Sequence, residues 1–338
     1  SRLMAVVAQG DRGRVYLTPT KNHEVIAQSA IAADPPETDL PARALGFRVQ
    51  EYGMTKWRDL FTPRQLVALT TFSDLVGEAM ELIRGDALEA LPAEALAKAG
   101  GLPDDSKPLR DAGTGSAAYA ESVAIFLGIA LSRLTDICNA LCRWEVTKTQ
   151  VRNLFGRQAI PMIWDFAENN VFGDAAGDYL VSLGNMAKAL DQMPTYGIGA
   201  ALQVEAQSQS ISFDKIVSTD PPYYDNIGYA DLSDFFYVWL RRSVKGAYPE
   251  LFGTMTVPKA EELVATPYRH GSKENAENFF LNGMTQAMHG LAEQGHPAFP
   301  VTIYYAFKQS EKESAEGVAS TGWETFLDAV IRAGFGLT

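Results

Sequence analysis

Cysteine is scarce in this chain. The 338 residues include two cysteines, Cys138 and Cys142, which lie four positions apart in a segment whose apolar pattern predicts a helix. No second cysteine pair and no nearby histidine complete the ligand set of a metal site. We therefore expect both cysteines to be small core residues, and we predict no metal in this chain.

Long apolar runs are also missing. The longest, residues 123–130, is far too short to span a bilayer, and the N-terminal residues lack the charged, apolar and small-residue regions of a secretory signal. These absences favour a cytoplasmic protein without a membrane partner. The composition, with 46% hydrophobic and 21% charged residues, is that of a globular chain with one large domain or two modest ones.

Positive charge is in deficit. The chain has 29 lysines and arginines against 41 acidic residues, a net charge of -12, which argues mildly against a protein built mainly to hold phosphate backbones. It does not exclude nucleic acid as a partner. Basic residues gather locally, as at Arg241, Arg242 and Lys245, and an enzyme can bind DNA through a short basic rim.

The first part of the chain divides into a strand and loop segment, residues 1–58, and a mainly helical region, residues 59–195. In the helical region, Thr62 is followed by proline and, three positions later, by Gln65, which is typical of a helix start. Apolar residues at helical spacing continue this helix as far as Ile83. Further helices are predicted at residues 117–143, 153–167 and 179–192.

The pattern changes in residues 196–338. Short apolar segments typical of strands alternate there with segments typical of helices. The strands are predicted at residues 200–205, 213–217 and 301–307, and the helices at residues 231–242, 276–291 and 323–333. This alternation predicts an α/β fold with a largely parallel, Rossmann-like sheet, preceded by the large helical region. Ligands of such folds bind beyond the carboxyl ends of the strands.

One tetrapeptide at the carboxyl edge of the predicted sheet has side chains suited to catalysis, namely Asp220, Pro221, Pro222 and Tyr223. The exocyclic nitrogen of adenine is a poor nucleophile because its lone pair is delocalised into the ring. The Asp220 carboxylate and the Pro221 carbonyl can accept hydrogen bonds from the amino protons, and consecutive prolines hold that backbone rigid. Tyr223 offers a flat face on which an extruded base can stack.

These residues match a known pattern. Asp-Pro-Pro-Tyr is the hallmark of amino-methyltransferases that act on adenine and, less often, on cytosine or guanine. The longer run at residues 219–241 closely resembles the large prokaryotic family of adenine-specific DNA methylases with a zinc ribbon and a conserved domain of unknown function. The resemblance extends over nearly the whole chain, through residues 55–66, 155–168, 258–265 and 301–308.

The resemblance implies an enzyme, a methyltransferase that uses S-adenosyl-L-methionine as its cofactor. It implies a Rossmann-like methyltransferase sheet, DNA as the substrate and the N6 amino group of adenine as the target. Methylation of RNA or of another base is the nearest alternative, because the motif recognises an amino group and does not distinguish DNA from RNA. At the level of the family, the resemblance also implies a role in restriction-modification or phage defence, with further defence-system subunits as partners.

Two pieces of the family pattern do not occur, the glycine-rich cofactor loop and the cysteine-rich zinc module. We expect both to lie before Ser1 in a longer protein. Gly113 with Gly115, and Gly197 with Gly199, are typical of turns at element starts more than of that loop. We therefore predict that the chain alone binds S-adenosylmethionine weakly or not at all. The alternative function is a catalytically incomplete nucleic-acid-binding or scaffold subunit.

Two further residue pairs are candidates for binding. Glu205 and Ala206 lie one predicted strand before the motif, where related methyltransferases place an acidic and a small residue beside the cofactor adenine. A solvated loop acid is an equal alternative. Arg269 and His270 follow a Thr-Pro-Tyr sequence in a predicted loop, either as phosphate contacts or as a solvated basic turn.

Polar and aromatic residues directly after the motif could meet the base or its backbone, namely Tyr224, Asp225 and Asn226. Trp164 resembles a loop-lining residue of the family, but its spacing favours a place in the core. Phe235 and Trp239 fall on one face of the next predicted helix, and we expect them to form core rather than an exposed stacking platform.

Overall fold

The structure, a computed structural model, describes residues 2–89, 106–193, 199–225, 227–306 and 321–337. The chain divides into two compact units. Unit 1 comprises Ser1–Ala42, Gly46–Pro194 and Leu232–Val257, and unit 2 comprises Arg43–Leu45, Thr195–Asp231 and Pro258–Thr338. The three segments expected from the sequence pattern, with boundaries near residues 58 and 195, stay a prediction.

The predicted α/β, Rossmann-like methyltransferase sheet is wrong. The protein is mostly helical, with 44% helix and 8% strand, and its strands form three two-stranded sheets within the described residues. Residues 200–205 and 213–217, both expected as strands, form loops and turns. The Glu205 carbonyl accepts two local amides at 3.3 and 3.0 Å, and the Lys215 amide donates to Ser212 at 3.1 Å. The second segment also bonds to distant residues, because the Asp214 amide donates to Gln294 at 2.7 Å and the Lys215 carbonyl accepts the His296 amide at 2.9 Å. A strand needs a neighbour along its whole length, and in both segments local turns replace at least part of that pairing.

Unit 1 is built from helices and two small antiparallel hairpins. Its helices are α1 (Lys21–Gln28), α2 (Pro63–Glu89), α3 (Ser116–Thr135), α4 (Tyr179–Gln192) and all but the first residues of α5 (Tyr229–Val244). Its strands are β1 (Val6–Gly10) with β2 (Gly13–Leu17), and β3 (Arg143–Glu145) with β4 (Gln150–Arg152). Short 3-10 helices lie at Gln50–Tyr52, Trp57–Leu60 and Leu109–Asp111.

The start of α2 confirms the capping signal. The Thr62 hydroxyl accepts the Gln65 amide at 3.2 Å, and the Gln65 side chain accepts the Thr62 amide at 2.8 Å. This reciprocal pair satisfies two backbone donors that a helix start otherwise leaves without partners. The helix then continues to Glu89, and Leu69 and Val76 face the core.

Helix α3 is the core helix of unit 1. Ala130, Leu131 and Leu134 are fully buried, and the helix packs against α2 and α4. It is also long and apolar enough to cross a membrane by length and composition, with a mean hydropathy of 1.4, and half of that window is buried in the protein. A buried core helix passes the same test, so this helix is weak evidence for a membrane span.

Aromatic rings from α5 complete the core of unit 1. Phe235 and Trp239 are fully buried. The Phe61 ring stacks on Phe235 with centroids 5.7 Å apart and meets the Trp239 ring edge-on at 5.2 Å. Trp57 lies edge-on to Phe235 at 6.3 Å. The prediction that this face of the helix forms core is confirmed.

The helix predicted at residues 153–167 does not form. Asp136 holds its start, because its backbone carbonyl accepts the Leu154 amide at 2.8 Å and its carboxylate accepts the Phe155 amide at 2.9 Å. Further along, the Ile160 amide donates to Gly46 at 3.2 Å. Bonds to distant partners replace the i to i−4 bonds of a helix. Trp164 is 70% exposed in this loop, so its expected place in the core is wrong.

The two cysteines are free and buried, as expected of core residues. Burial raises the pKa of the Cys138 thiol above its usual range and raises that of Cys142 to about 12. Both side chains are therefore uncharged thiols at neutral pH, and a buried thiol of this kind is chemically inert.

Unit 2 contains one small parallel sheet, β5 (Ser218–Thr219) with β6 (Thr302–Ile303), and the helices α6 (Pro267–His270), α7 (Lys273–Gln294) and α8 (Thr321–Arg332). Two backbone bonds extend the pairing, since the Thr302 amide donates to Val217 at 3.0 Å and the Tyr304 amide donates to Thr219 at 2.8 Å. Helices α7 and α8 pack together through fully buried residues that include Phe280, Met284 and Ala329. The helices predicted at residues 276–291 and 323–333 are confirmed.

Candidate functional site

Two parallel strand ends meet in unit 2. Asp220 follows β5 directly, and Tyr304 and Tyr305 follow β6. Because the strands are parallel, both segments leave the sheet at the same edge. The predicted place of the motif at the carboxyl end of a parallel strand is confirmed. The strand itself lies at Ser218–Thr219 rather than at residues 213–217, and among the described residues it pairs only with β6 and not within a larger sheet.

The Asp220 carboxylate is exposed, and no described residue donates a hydrogen bond to it or forms an ion pair with it. Pro221 behind it is buried, whereas Pro222 and Tyr223 are half-buried. Proline fixes φ, so two consecutive prolines restrict the backbone between the carboxylate and the tyrosine ring. The segment therefore presents a carboxylate that can accept further hydrogen bonds, on a backbone that the two prolines keep rigid.

Tyr223 stands among other tyrosine rings. Its ring lies edge-on to Tyr229, with centroids 6.3 Å apart, and edge-on to Tyr305 at 5.7 Å. Tyr305 in turn stacks flat on Phe326 at 3.9 Å. Burial raises the pKa of the Tyr229 hydroxyl, and the Asp220 charge adds to that rise. Asp220 therefore lies within electrostatic reach of this cluster.

Tyr305 is a site residue that the sequence interpretation missed. Its hydroxyl accepts the backbone amide of Tyr224 at 3.0 Å, and burial raises its pKa. The predicted strand at residues 301–307 contained the signal, because parallel strands end at one edge and Tyr305 lies near that end. Pairing this strand with the one before Asp220 would have placed Tyr305 beside the motif.

The three residues after the motif have different environments. Tyr224 is 6% exposed and packs edge-on against Phe280 at 5.0 Å. Burial and a hydrogen bond to Glu277 raise the pKa of its hydroxyl. Its side chain thus supports the loop from behind, and its predicted contact with a base has no support from this position. Asp225 is exposed, with a raised pKa caused first by desolvation of its carboxyl. Asn226 lies outside the described residues.

Arg269 joins two buried carboxylates in unit 2. It donates to Asp231 at 2.7 Å and to Glu262. Asp231 also accepts the Tyr268 hydroxyl at 2.7 Å, and Glu262 accepts the Ala230 amide at 2.8 Å. These hydrogen bonds raise the pKa of Arg269 despite its burial, so it stays charged. The network fixes the start of α5, just after the motif loop. The phosphate contact predicted for Arg269 stays a prediction, and its guanidinium is already engaged by two acids.

His270, the other predicted phosphate contact, stacks on Phe279 with centroids 4.2 Å apart. Burial lowers the pKa of its imidazole, and the neighbouring Arg269 charge lowers it further. The ring is therefore mostly neutral at pH 7. A neutral imidazole attracts a phosphate less than an imidazolium does, and this contact also stays a prediction.

Glu205 and Ala206 lie in a turn and not at a strand end. The Glu205 carboxylate accepts its neighbours Gln207 and Ser208 at 3.1 and 3.2 Å. Shortly after this turn, a shallow cavity of about 450 Å³ opens between residues 207–209 and the C-terminal half of α7. Most of the residues that line it are polar, and none belongs to the Asp220–Tyr223 motif.

The described residues do not fit S-adenosylmethionine. In the family that the sequence resembles, a glycine-rich turn between a strand and a helix supplies the backbone donors for the methionine moiety. Gly113 precedes α3, but a Cβ atom there would lie 2.0 Å from the Lys107 carbonyl, so close backbone packing explains this glycine. Gly199 lies in a loop and Gly197 lies outside the described residues. Glu205 is held by its own turn.

Comparisons of the chain with protein-family models, with curated proteins and with solved structures find no match. The resemblance to adenine-specific DNA methylases therefore rests on the motif residues and stays a prediction. The structure adds the arrangement of the residues around the motif. It brings Asp220, Tyr223, Tyr229 and Tyr305 to one edge of a parallel strand pair.

Proposed function

We propose that this chain supplies the target-recognition part of a methyltransferase that modifies an exocyclic amino group of a nucleobase, with adenine N6 in DNA as the favoured target. One observation carries the proposal. Asp220 presents an exposed carboxylate without a partner among the described residues, at the carboxyl end of a parallel strand and within reach of an aromatic cluster.

The chemistry requires two acceptors for the two amino protons. The Asp220 carboxylate is one, and the Pro221 carbonyl, held by the proline backbone, is the other. Hydrogen bonds to both draw electron density back onto the amino nitrogen and increase its nucleophilicity. Because the acceptors are fixed before the base arrives, little reorganisation is needed in the transition state.

The aromatic cluster suits capture of the base. Tyr223 is half-buried, so part of its ring is open, and the perpendicular rings of Tyr229 and Tyr305 restrict its movement. A base extruded from a duplex loses its stacking, and a tyrosine face restores part of that free energy. The Tyr305 hydroxyl also holds the Tyr224 amide, which limits movement of the loop directly after Tyr223.

S-adenosylmethionine supplies the methyl group in reactions of this class. The described residues form no cradle for it, and the proposal is confined to the amino-group end of the reaction. The same observation favours a second candidate function, a nucleic-acid-binding subunit that is catalytically incomplete. Methyl transfer from S-adenosylmethionine separates the two, because turnover that depends on Asp220 would contradict the second candidate.

Methyl transfer to DNA from tritiated S-adenosylmethionine, with the protein as it occurs in the cell, tests the proposal. Asp220→Ala should lower turnover by roughly a hundredfold or more, as expected for loss of one preorganised hydrogen-bonding group. The KM for DNA should change much less. Tyr223→Ala should instead weaken DNA binding, by roughly 1–3 kcal/mol for one stacked base, and Tyr223→Phe should be mild.

Asp214→Asn is the matched control. Asp214 is an exposed acid just before β5 with φ of 56°, a backbone conformation that asparagine also tolerates. This variant should keep full turnover. Wild-type turnover in Asp220→Ala, or an equal loss in both variants, would remove the role proposed for the Asp220 carboxylate.

A further inference from the structure

Unit 1 exposes an aromatic pair that the proposed function does not use. Trp164 is 70% exposed and Tyr52 is 51% exposed, and their rings meet edge-on with centroids 4.9 Å apart. Of the five tryptophans, Trp57 and Trp239 are fully buried and Trp144 and Trp323 are partly buried. Two exposed aromatic rings side by side offer flat faces on which the base of a nucleotide can stack.

The two rings are held on well-anchored loops. Phe47 forms a parallel bridge with Ile160, and the Arg48 amide donates to the Ile160 carbonyl at 3.0 Å. Phe47, Val49 and Ile160 are buried on the inner side of these segments. These buried residues fix the backbone of the two segments that hold the rings. The exposed rings therefore lose little conformational freedom when they bind a ligand.

Three arginines lie on the same segments. Arg48 is bonded through its amide to Ile160, Arg157 lies three residues before Ile160, and Arg143 is bridged to Phe166, two residues after Trp164. All three are exposed, and none has an ion-pair partner among the residues that the structure describes. The exposed acids Glu51 and Asp165 adjoin the two rings in sequence, so the local excess is one positive charge.

We propose that Tyr52, Trp164, Arg48, Arg143 and Arg157, here called the Trp164 surface, bind single-stranded nucleic acid. Exposed aromatic rings interleaved with free cations are the combination that holds unstacked bases and their phosphates. Arginine suits this role because its planar guanidinium pairs with phosphate and stacks on bases. The proposal shares its ligand class with the proposed function but requires neither Asp220 nor a methyl donor.

Fluorescence anisotropy with a fluorescein-labelled mixed-sequence oligodeoxynucleotide of twelve bases tests this proposal. Trp164→Ala and Tyr52→Ala should each weaken binding about five- to hundredfold, the range expected for loss of one stacked base. Trp164→Phe, which keeps a ring, should lose less. Phe172→Ala is the matched control, because Phe172 is a similarly exposed aromatic residue of unit 1, and it should bind like the wild type.

The salt dependence of binding tests the arginines. Each phosphate contact to a single strand contributes about 0.7 to the slope of log affinity against log salt. Replacing Arg48, Arg143 and Arg157 together by alanine should therefore reduce the slope by about two. Bound oligonucleotide should also shield Trp164 from acrylamide quenching, a signal that Trp164→Phe removes.

Three results would overturn the proposal: no binding by the wild type, equal affinity in Trp164→Ala, or binding that leaves Trp164 open to acrylamide. Asp220→Ala distinguishes it from the proposed function. That variant should lose methyl transfer and keep oligonucleotide binding, whereas Trp164→Ala should weaken oligonucleotide binding whether or not methyl transfer is present.

Discussion

Two apolar regions of this protein differ in how far their apolar side chains are buried. In helices α2 and α3 of unit 1, one apolar face is buried, as Leu69 and Leu131 show, although Leu82 is exposed. In residues 199–217 of unit 2, Leu202, Phe213 and Ile216 are all exposed. Helices satisfy their own backbone hydrogen bonds, so a periodic pattern suffices to form one. A strand needs a partner along its whole length, and this segment has backbone bonds to distant described residues at Asp214, Lys215 and Val217 alone, so it forms loops and turns.

Replacing a phenylalanine in each region is the strongest test of this comparison. Phe235 is fully buried in unit 1, whereas Phe213 is 71% exposed in unit 2. Phe235→Ala should lower the free energy of unfolding by about 3–5 kcal/mol, through lost burial and the cavity left behind. Phe213→Ala should change it by less than about 0.5 kcal/mol. Urea denaturation followed by circular dichroism measures both, and similar losses in the two variants would break the comparison.

A smaller loss of stability should follow from removing the hydrogen bond between Tyr305 and the Tyr224 amide at the strand ends of unit 2. Tyr305→Phe removes the acceptor of the Tyr224 amide but keeps the stack on Phe326. We expect a loss of about 1 kcal/mol, the usual net value of one hydrogen bond. Hydrogen exchange at the Tyr224 amide should become faster in this variant. Tyr304→Phe changes an exposed neighbouring tyrosine and should leave that amide as protected as before.

The smallest expected effect is a pH dependence of unit 2 that comes from His270. Its pKa in the folded protein lies below the ordinary value of 6.5, so the folded state binds fewer protons than the unfolded chain near that pH. Stability from this group is therefore present above pH 6.5 and is lost as the pH falls through 6.5 toward the folded pKa. Urea denaturation at pH 7.5 and 5.5 measures it. His270→Phe keeps an aromatic ring for Phe279 and should show a weaker dependence, and an unchanged one would exclude His270 as its source.

Several local features of the fold could be predicted from the sequence. The cap at Thr62 and the buried face of Phe235 and Trp239 follow from neighbouring residues and helical spacing, and both are confirmed. The sheet could not be predicted. Strand pairing depends on segments far apart in the chain. The 200–205 segment pairs with no strand among the described residues, and the 213–217 segment makes separate backbone bonds to residues 294–302 without forming a strand.

The candidate site shows the same division. Residues next to one another, such as Asp220 and Tyr223, could be chosen from the motif alone. Glu262 could not, because its role comes from a contact across a long stretch of chain. Tyr305 required a further step, the pairing of its predicted strand with the one before Asp220. Trp164 was misjudged for a related reason. Spacing predicts which face of a helix is buried, but its segment is a loop held by Asp136 and Gly46, where helical spacing has no meaning.

The small sheet of unit 2 has a consequence for solubility. Within the described residues, β5 and β6 leave their outer edges unpaired, with Phe213 and Ile216 exposed just before β5. An open edge beside apolar side chains can pair with the same edge of another molecule and lead to aggregation. Asp214, Lys215 and Asp220 interrupt this stretch with charge, as gatekeeper residues do in natural strands. The Asp220 charge thus opposes aggregation. Neutralising it should therefore let the protein aggregate at a lower concentration.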